Sequence, residues 1–274
     1  MRTSKLLALA VLCAIIGSAA CDSDKPKDQP RPAPPAAPAT APQSAATTTT
    51  ATTTAVVTPP APASRPTVAA AAGDLIDLPI KLPLPAYTTT PKKAPDGLPI
   101  EKPRVGLRAP TKGPKGAVNL ALRKPVTGSD KDPKNGTLDL ITDGDKEAGS
   151  GNTVEIAPGV QWVQIDLGQP GAIHAIALWH EHGGPAIYHA VIVQVSDDLD
   201  FIDRVTTAYS NDRENAAGQG TGTEPGFWET FEGKVITIPG GVTGRYVRLY
   251  SNGNTNDDRN RYTEVEVWGL PAAR

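Results

Sequence analysis

From residue 118 onward the chain alternates apolar and polar positions. Val163, Ile165 and Leu167 are separated by Gln164 and Asp166, Val191, Val193 and Val195 by Ile192 and Gln194, Val247 and Leu249 by Arg248, and Val265 and Val267 by Glu266. A period of two sends one set of side chains to each face of an extended strand, so each run predicts a strand with one buried face. Further apolar runs at 138–141, 173–179 and 235–238 bring the total to seven or eight, with Gly, Asn, Asp and Pro between them as turn signals. No stretch carries a helical period long enough to cover a parallel sheet. The pattern predicts an all-β domain, an antiparallel β-sandwich.

Before residue 118 that pattern is missing. Residues 6–16 form a short apolar run behind Arg2 and Lys5, followed by Gly17-Ser18-Ala19-Ala20. This reads as an export signal over 1–20, too short to span a membrane as a mature helix. Cys21 then becomes the first mature residue. Residues 21–73 are Pro, Ala and Thr with Thr runs at 47–50 and 52–54, a composition that cannot offset the entropy of ordering and predicts a disordered, extended tether. Over 74–117 the proline density persists, but Leu75, Ile76, Leu78, Ile80, Leu82, Leu84, Leu98, Ile100, Val105 and Leu107 are added. Two readings are open there: an extended Pro-rich strap lying across the folded domain, or plain linker.

Composition sharpens this division. Twenty of the 28 prolines lie between residues 21 and 117, whereas Tyr87 is the one aromatic before residue 118. The remaining 157 residues suffice for one core. Residues 22–117 carry a net charge of +5 and residues 118–274 a net charge of −9. So acidic a domain lacks the basic stripe that a phosphate backbone requires, and nucleic acid is not expected as a partner. No Gly-x-Ser-x-Gly elbow, Gly-rich phosphate loop or His-Glu-x-x-His helix is present, and both cysteines lie in the signal region, so no enzyme is expected.

Cys21 after a small-residue cleavage site resembles the lipidation site of bacterial lipoproteins. Ser18 departs from the aliphatic residue usual there, and ordinary cleavage after Ala20 is the alternative. In the folded part, NLALRKPVTGS (119–129), LITDGDKEA (140–148), WVQIDLG (162–168), IYHAVIVQVSDD (187–198), GRYVRLYSNGN (244–254) and YTEVEVWG (262–269) follow one another. In this order they resemble the discoidin family, the coagulation factor V/VIII C-type domains. The resemblance covers 118–271 and implies an eight-stranded antiparallel jelly-roll β-sandwich of the galactose-binding-like type. Its members bind sugars, phospholipid head groups, collagen or other proteins through loops at one end. It also implies a structural calcium site, with the carboxylates of Asp143 and Glu264 and the carbonyls of Leu140 and Lys146 as ligands, hard oxygens of the kind calcium accepts. The position of a Thr ligand falls on Ala148. The alternative is that Asp143-Gly144 is only a tight turn and Glu264 a solvated strand residue.

All four histidines lie between 174 and 189. His180 and His182 project to one side of a strand, where two imidazoles can share a zinc ion or meet a sugar hydroxyl; alternatively one packs in the core and the others are solvated. Residues 209–230 form a long polar segment in which Asn211 and Asp212 could pair with hydroxyls and Trp228 could stack on a sugar ring. Trp228 could equally be a packing residue, the role expected of Trp162 and Trp268. The expected ligand site is thus His180, His182, Asn211, Asp212 and Trp228. The chain reads as an exported, lipid-anchored monomer facing the periplasm or the cell surface, a non-catalytic module that binds carbohydrate. The rival reading is a protein-interaction or structural envelope lipoprotein without a sugar ligand.

Overall fold

The computed structural model describes residues 74–272, apart from 92, 94 and 103. The expected export signal, the lipidation position Cys21 and the tether over 21–73 lie outside the described residues. Among the described residues there are ten strands: β1 (Leu75–Asp77), β2 (Lys112–Pro114), β3 (Val118–Asn119), β4 (Val126–Gly128), β5 (Val154–Ile156), β6 (Gln161–His180), β7 (Ile192–Ser196), β8 (Thr206–Ser210), β9 (Lys234–Ser251) and β10 (Asn260–Pro271). β1 and β2 form a separate ribbon. The other eight run in the order β3-β10-β6-β9-β7-β8, with β4 added to β6 and β5 to β10. Every pairing among these strands is antiparallel.

Two long strands turn this sheet into a sandwich. The pairing of β6 with β9 breaks between Asp166 and Gly171 and again between Ile173 and Ala175. The interruption coincides with Gly168-Gln169-Pro170 on one strand and Pro239-Gly240-Gly241 on the other, where proline offers no N–H and Gly168, Gly240 and Gly241 take positive φ. One half of β6 therefore pairs with β4 and the end of β9, and the other half with β10 and the start of β9. Val163, Ile165, Val193, Val195 and Leu249 from the first layer meet Ile176, Leu178, Ile236, Val265 and Val267 from the second in one buried cluster. The alternation read from the sequence is thus the core alternation. The run at 138–141 differs: it closes into a 3-10 helix over Leu138–Thr142, with the Leu140 N–H bonded to the Thr137 carbonyl at 3.1 Å. Four residues ahead of an Asp-Gly turn end before they can reach a strand edge.

The second layer is buried on both faces. Trp179, Ala177 and Ala175 of β6 stand opposite Glu264, Glu266 and Trp268 of β10, point away from the core, and are all buried nonetheless. Their cover comes from outside the sheet. Leu78 and the half-buried Ile80 pack with Ala117, Ala175, Trp268 and Val235. Lys146, from the loop after the 3-10 helix, pairs with Glu266, and its ammonium lies 4.8 Å from the centre of the Trp179 ring. Residues 74–117 lie along this surface, closed on themselves by the β1/β2 ribbon and by Leu78 N–H to the Thr111 carbonyl at 2.8 Å, and tied to the domain by exchanged bonds between Glu101 and Gly226 (2.8 Å) and Gly226 and Pro99 (2.9 Å). Of their apolar residues Leu78 is buried, while Leu75, Leu84, Val105 and Leu107 are exposed.

Candidate functional site

The long segment after β8 is ordered by its own polar groups. The Asn211 side-chain oxygen accepts the Val191 N–H at 2.7 Å, and the Asp212 carboxylate accepts the N–H groups of Ala216 and Ala217, both at 2.9 Å. The Tyr209 hydroxyl donates to the Pro225 carbonyl at 2.7 Å. The chain then turns down onto the second layer. Gly233 has φ +61, and a Cβ there would lie 2.5 Å from the Trp179 ring, so its backbone rests directly on the indole. The Trp179 N–H bonds the Phe231 carbonyl at 3.0 Å.

Residues 85–108 run beside this segment and bond to its main chain. The Tyr87 hydroxyl donates to the Glu229 carbonyl. Burial, reinforced by Glu229 and Glu181, pushes the Tyr87 phenol up to about 12, so it remains a donor near neutral pH. The Arg108 guanidinium donates to the carbonyls of Gly233 (3.0 Å) and Glu232 (2.9 Å), and the Arg108 main-chain N–H donates to the Glu232 carboxylate at 2.8 Å. Burial lowers the proton affinity of Arg108 and Glu232 opposes that shift. Arg104 reaches Glu232 at 3.3 Å, and Lys234 pairs with Glu101.

Between the two segments lies a cleft of about 510 Å³. Tyr87, Phe227, Trp228 and Phe231 give it aromatic wall, and Thr88, Thr89, Thr90 and Thr230 contribute hydroxyls. Four cationic side chains, Lys102, Arg104, Arg108 and Lys234, and two carboxylates, Glu101 and Glu232, complete its polar lining. Of the residues expected to bind ligand, Trp228 alone lines this cleft.

The others are placed elsewhere. His180 and His182 are each 0% exposed, so neither meets a ligand at the surface. The His180 ring stacks on Tyr188 with centroids 4.0 Å apart, and its Nδ1 lies 2.5 Å from the fully buried Glu229 carboxylate. The His182 Nε2 bonds the Lys146 carbonyl at 2.9 Å, a partner different from that of His180. Asn211 and Asp212 spend their oxygens on the loop backbone. A histidine flanked by loop residues carries no sequence mark that separates a buried hydrogen-bonded ring from an exposed one, and polar loop residues that shape a loop look like polar residues that bind. Trp268 is buried, with its N–H on the Glu266 carboxylate at 2.8 Å, and Trp162 is half-buried, 4.6 Å from the Arg248 guanidinium.

Of the residues expected to hold calcium, Glu264 lies against the Asp143-Gly144 turn. The Glu264 carboxylate is fully buried, and one oxygen accepts the Gly144 N–H at 3.2 Å, which brings it to the Asp-Gly turn. Its other oxygen is buried and has no partner among the described residues. Burial pushes the Glu264 carboxyl up to about 9; the Gly144 N–H and Lys146 oppose this, while Glu266 and Asp143 add to it. A cation beside this orphaned oxygen would relieve both the desolvation and the repulsion. The Asp143 carboxylate is exposed and caps the Asp145 N–H at 2.8 Å with one oxygen. The Lys146 carbonyl already accepts the bond to His182, and Ala148 provides no side-chain oxygen. The two carboxylates fit a hard divalent ion, with backbone carbonyls needed to complete its shell. Among the described residues no three His, Cys, Asp or Glu side chains gather as a metal cluster.

No curated protein matches the chain. Several solved structures do. Chitosan-binding module 1 of a chitosanase/glucanase from Paenibacillus sp. IK-5 is 24% identical, over 56% of this chain and 99% of that one, with a TM-score of 0.41. A family 89 glycoside hydrolase from Clostridium perfringens, in complex with its substrate GlcNAc-alpha-1,4-galactose, is 21% identical over 57% of this chain and 16% of that one, TM-score 0.40. A fucolectin from striped bass, Morone saxatilis, is 18% identical over 56% of this chain and 49% of that one, TM-score 0.39. Residues 125–265 match the F5/8 type C domain, and with this sandwich around them the chain belongs to that family.

Proposed function

We propose that the protein is an exported, lipid-anchored and non-catalytic module that recognises carbohydrate through the cleft between residues 85–108 and 227–235. The observation that carries this reading is the make-up of the cleft. An aromatic plane can cover the C–H face of a sugar ring while hydroxyl and charged groups fix its hydroxyls, and the cleft holds both within about 510 Å³. The non-catalytic part of the reading is supported by the burial of His180 and Glu229, which closes this acid-base pair to a substrate. Asp143 and Glu264, with the carbonyls of Leu140 and Lys146, would hold calcium, whose contribution is to cross-link the Asp-Gly turn to β10. The Pro/Ala/Thr-rich composition of residues 21–73, suited to a tether, supports anchoring through Cys21.

A glycan array probed with the purified chain, in calcium and again in chelator, tests the reading. Saturable sugar binding is expected, and Trp228→Ala should weaken it by roughly 1 to 3 kcal/mol, the scale of a lost aromatic anchor. Silence across the array, with a specific envelope protein recovered by the same chain, would replace carbohydrate by protein as the partner.

A further inference from the structure

The charge of the cleft is opposite to that of the domain around it. Residues 118–274 carry a net charge of −9, yet the cleft is lined by four cations and two carboxylates. Both carboxylates are already engaged: Glu101 pairs with Lys234, and Glu232 takes the Arg108 N–H and Arg104. Arg108 spends guanidinium donors on two backbone carbonyls, which satisfy its hydrogen bonds without neutralising its charge. Lys102 pairs with no carboxylate among the described residues and is exposed. The lining therefore keeps positive charge in a concave, aromatic-walled site, where field lines concentrate more than on a convex surface.

Resting on the carbohydrate reading above, we infer that the preferred ligand is an acidic glycan, a sugar bearing carboxylate or an equivalent anion. An anionic group at the Lys102 and Arg104 side of the cleft meets two cations there, one exposed and without an acidic partner among the described residues and the other paired with a Glu232 carboxylate that also accepts the Arg108 main-chain N–H. A neutral sugar leaves that charge unanswered. The repulsion of the acidic domain surface falls on any anion, so the discrimination is made at the cleft itself.

A galacturonate oligosaccharide, its methyl ester, the corresponding neutral galactose oligosaccharide and poly-glutamate, titrated by calorimetry into the full chain, test the inference. The free acid should bind about fivefold more tightly than the ester, the scale of one or two charge pairs open to solvent. That advantage should shrink as salt is raised through the range where the Debye length falls below about 10 Å. Lys102→Gln with Arg104→Gln should lower the affinity for the free acid more than that for the ester, until the two match; an acid preference that survives both substitutions would overturn the inference. Equal binding of acid, ester and neutral sugar would overturn the inference and leave the carbohydrate reading standing. Failure of all three sugars would sink that reading and the inference together. Poly-glutamate binding as tightly as the galacturonate would overturn the glycan assignment in favour of an acidic peptide.

Discussion

The packing of residues 74–117 on the second layer rests on few side chains, and Leu78 is the one that can be removed cleanly. It is 5% exposed and sits among Ala117, Ala175 and Trp268, and a Cβ on Gly113 would come within 2.6 Å of its Cδ2, so it fills the space over that glycine. Leu→Ala in a core costs about 2 to 5 kcal/mol, and a site at the edge, free to collapse, belongs at the low end, about 2 kcal/mol. If this segment and the sandwich unfold together, a domain of this size should lose roughly 4 to 8 °C in Tm. If the segment opens on its own, Tm stays put and protease sites within 85–108 become cleavable first. Differential scanning fluorimetry with limited proteolysis separates the two outcomes, and either should weaken ligand binding, since Tyr87, Arg104 and Arg108 leave the cleft with the segment. Unchanged Tm, unchanged cleavage and unchanged binding together would refute the idea that Leu78 holds it down.

Calcium in hundredfold excess over its Kd should add about 2.7 kcal/mol of stability, and Asp143→Ala should remove the increment; identical melting curves in calcium and in chelator would dismiss the site. The Arg261 side chain holds the Asp257 carboxyl down to about 2, so its contribution is present above about pH 4, the unfolded value, and is lost as pH falls toward 2. Asp257→Asn should flatten that acid limb in melts taken from pH 5 to 2, by a small amount because the pair is partly solvated. Cys21→Ser should move the protein from the membrane to the soluble fraction on ultracentrifugation, since acyl chains supply most of such affinity; retention in the pellet would end the anchor.

The core was legible because a sandwich strand buries every second residue. Val163 and Ile165, Val193 and Val195, Val247 and Leu249, and Val265 and Val267 all enter one cluster. The same rule misleads at Glu264 and Glu266. Alternation assigns them to solvent, whereas the second layer has a covered outer face, and both carboxylates are buried, Glu266 against Lys146 and Glu264 against the Gly144 turn. No period-2 pattern reports a face covered by irregular backbone. Trp228 was legible as an aromatic in a long polar segment. Tyr87 and Arg108 were not, because they reach the site through main-chain carbonyls, partners that sequence does not distinguish, and Arg104 was not, because its partner Glu232 is 128 residues away in sequence.

The family match runs from residue 125 to 265, and Tyr87, Lys102, Arg104 and Arg108 all precede it. One wall of the cleft is therefore built by the F5/8 type C domain and the other by chain outside it. Membership of the family sets the sandwich, but more than half of the residues lining the cleft belong to a segment outside the family match. That segment contributes Leu78 to the covered face of β6 and β10 and supplies most of the cationic lining, so its packing and its recognition chemistry are bound together. Substitutions in it can alter ligand preference without touching a single residue of the sandwich core. The same coupling means that loss of its packing removes Arg104 and Arg108 from the cleft even when every strand stays folded.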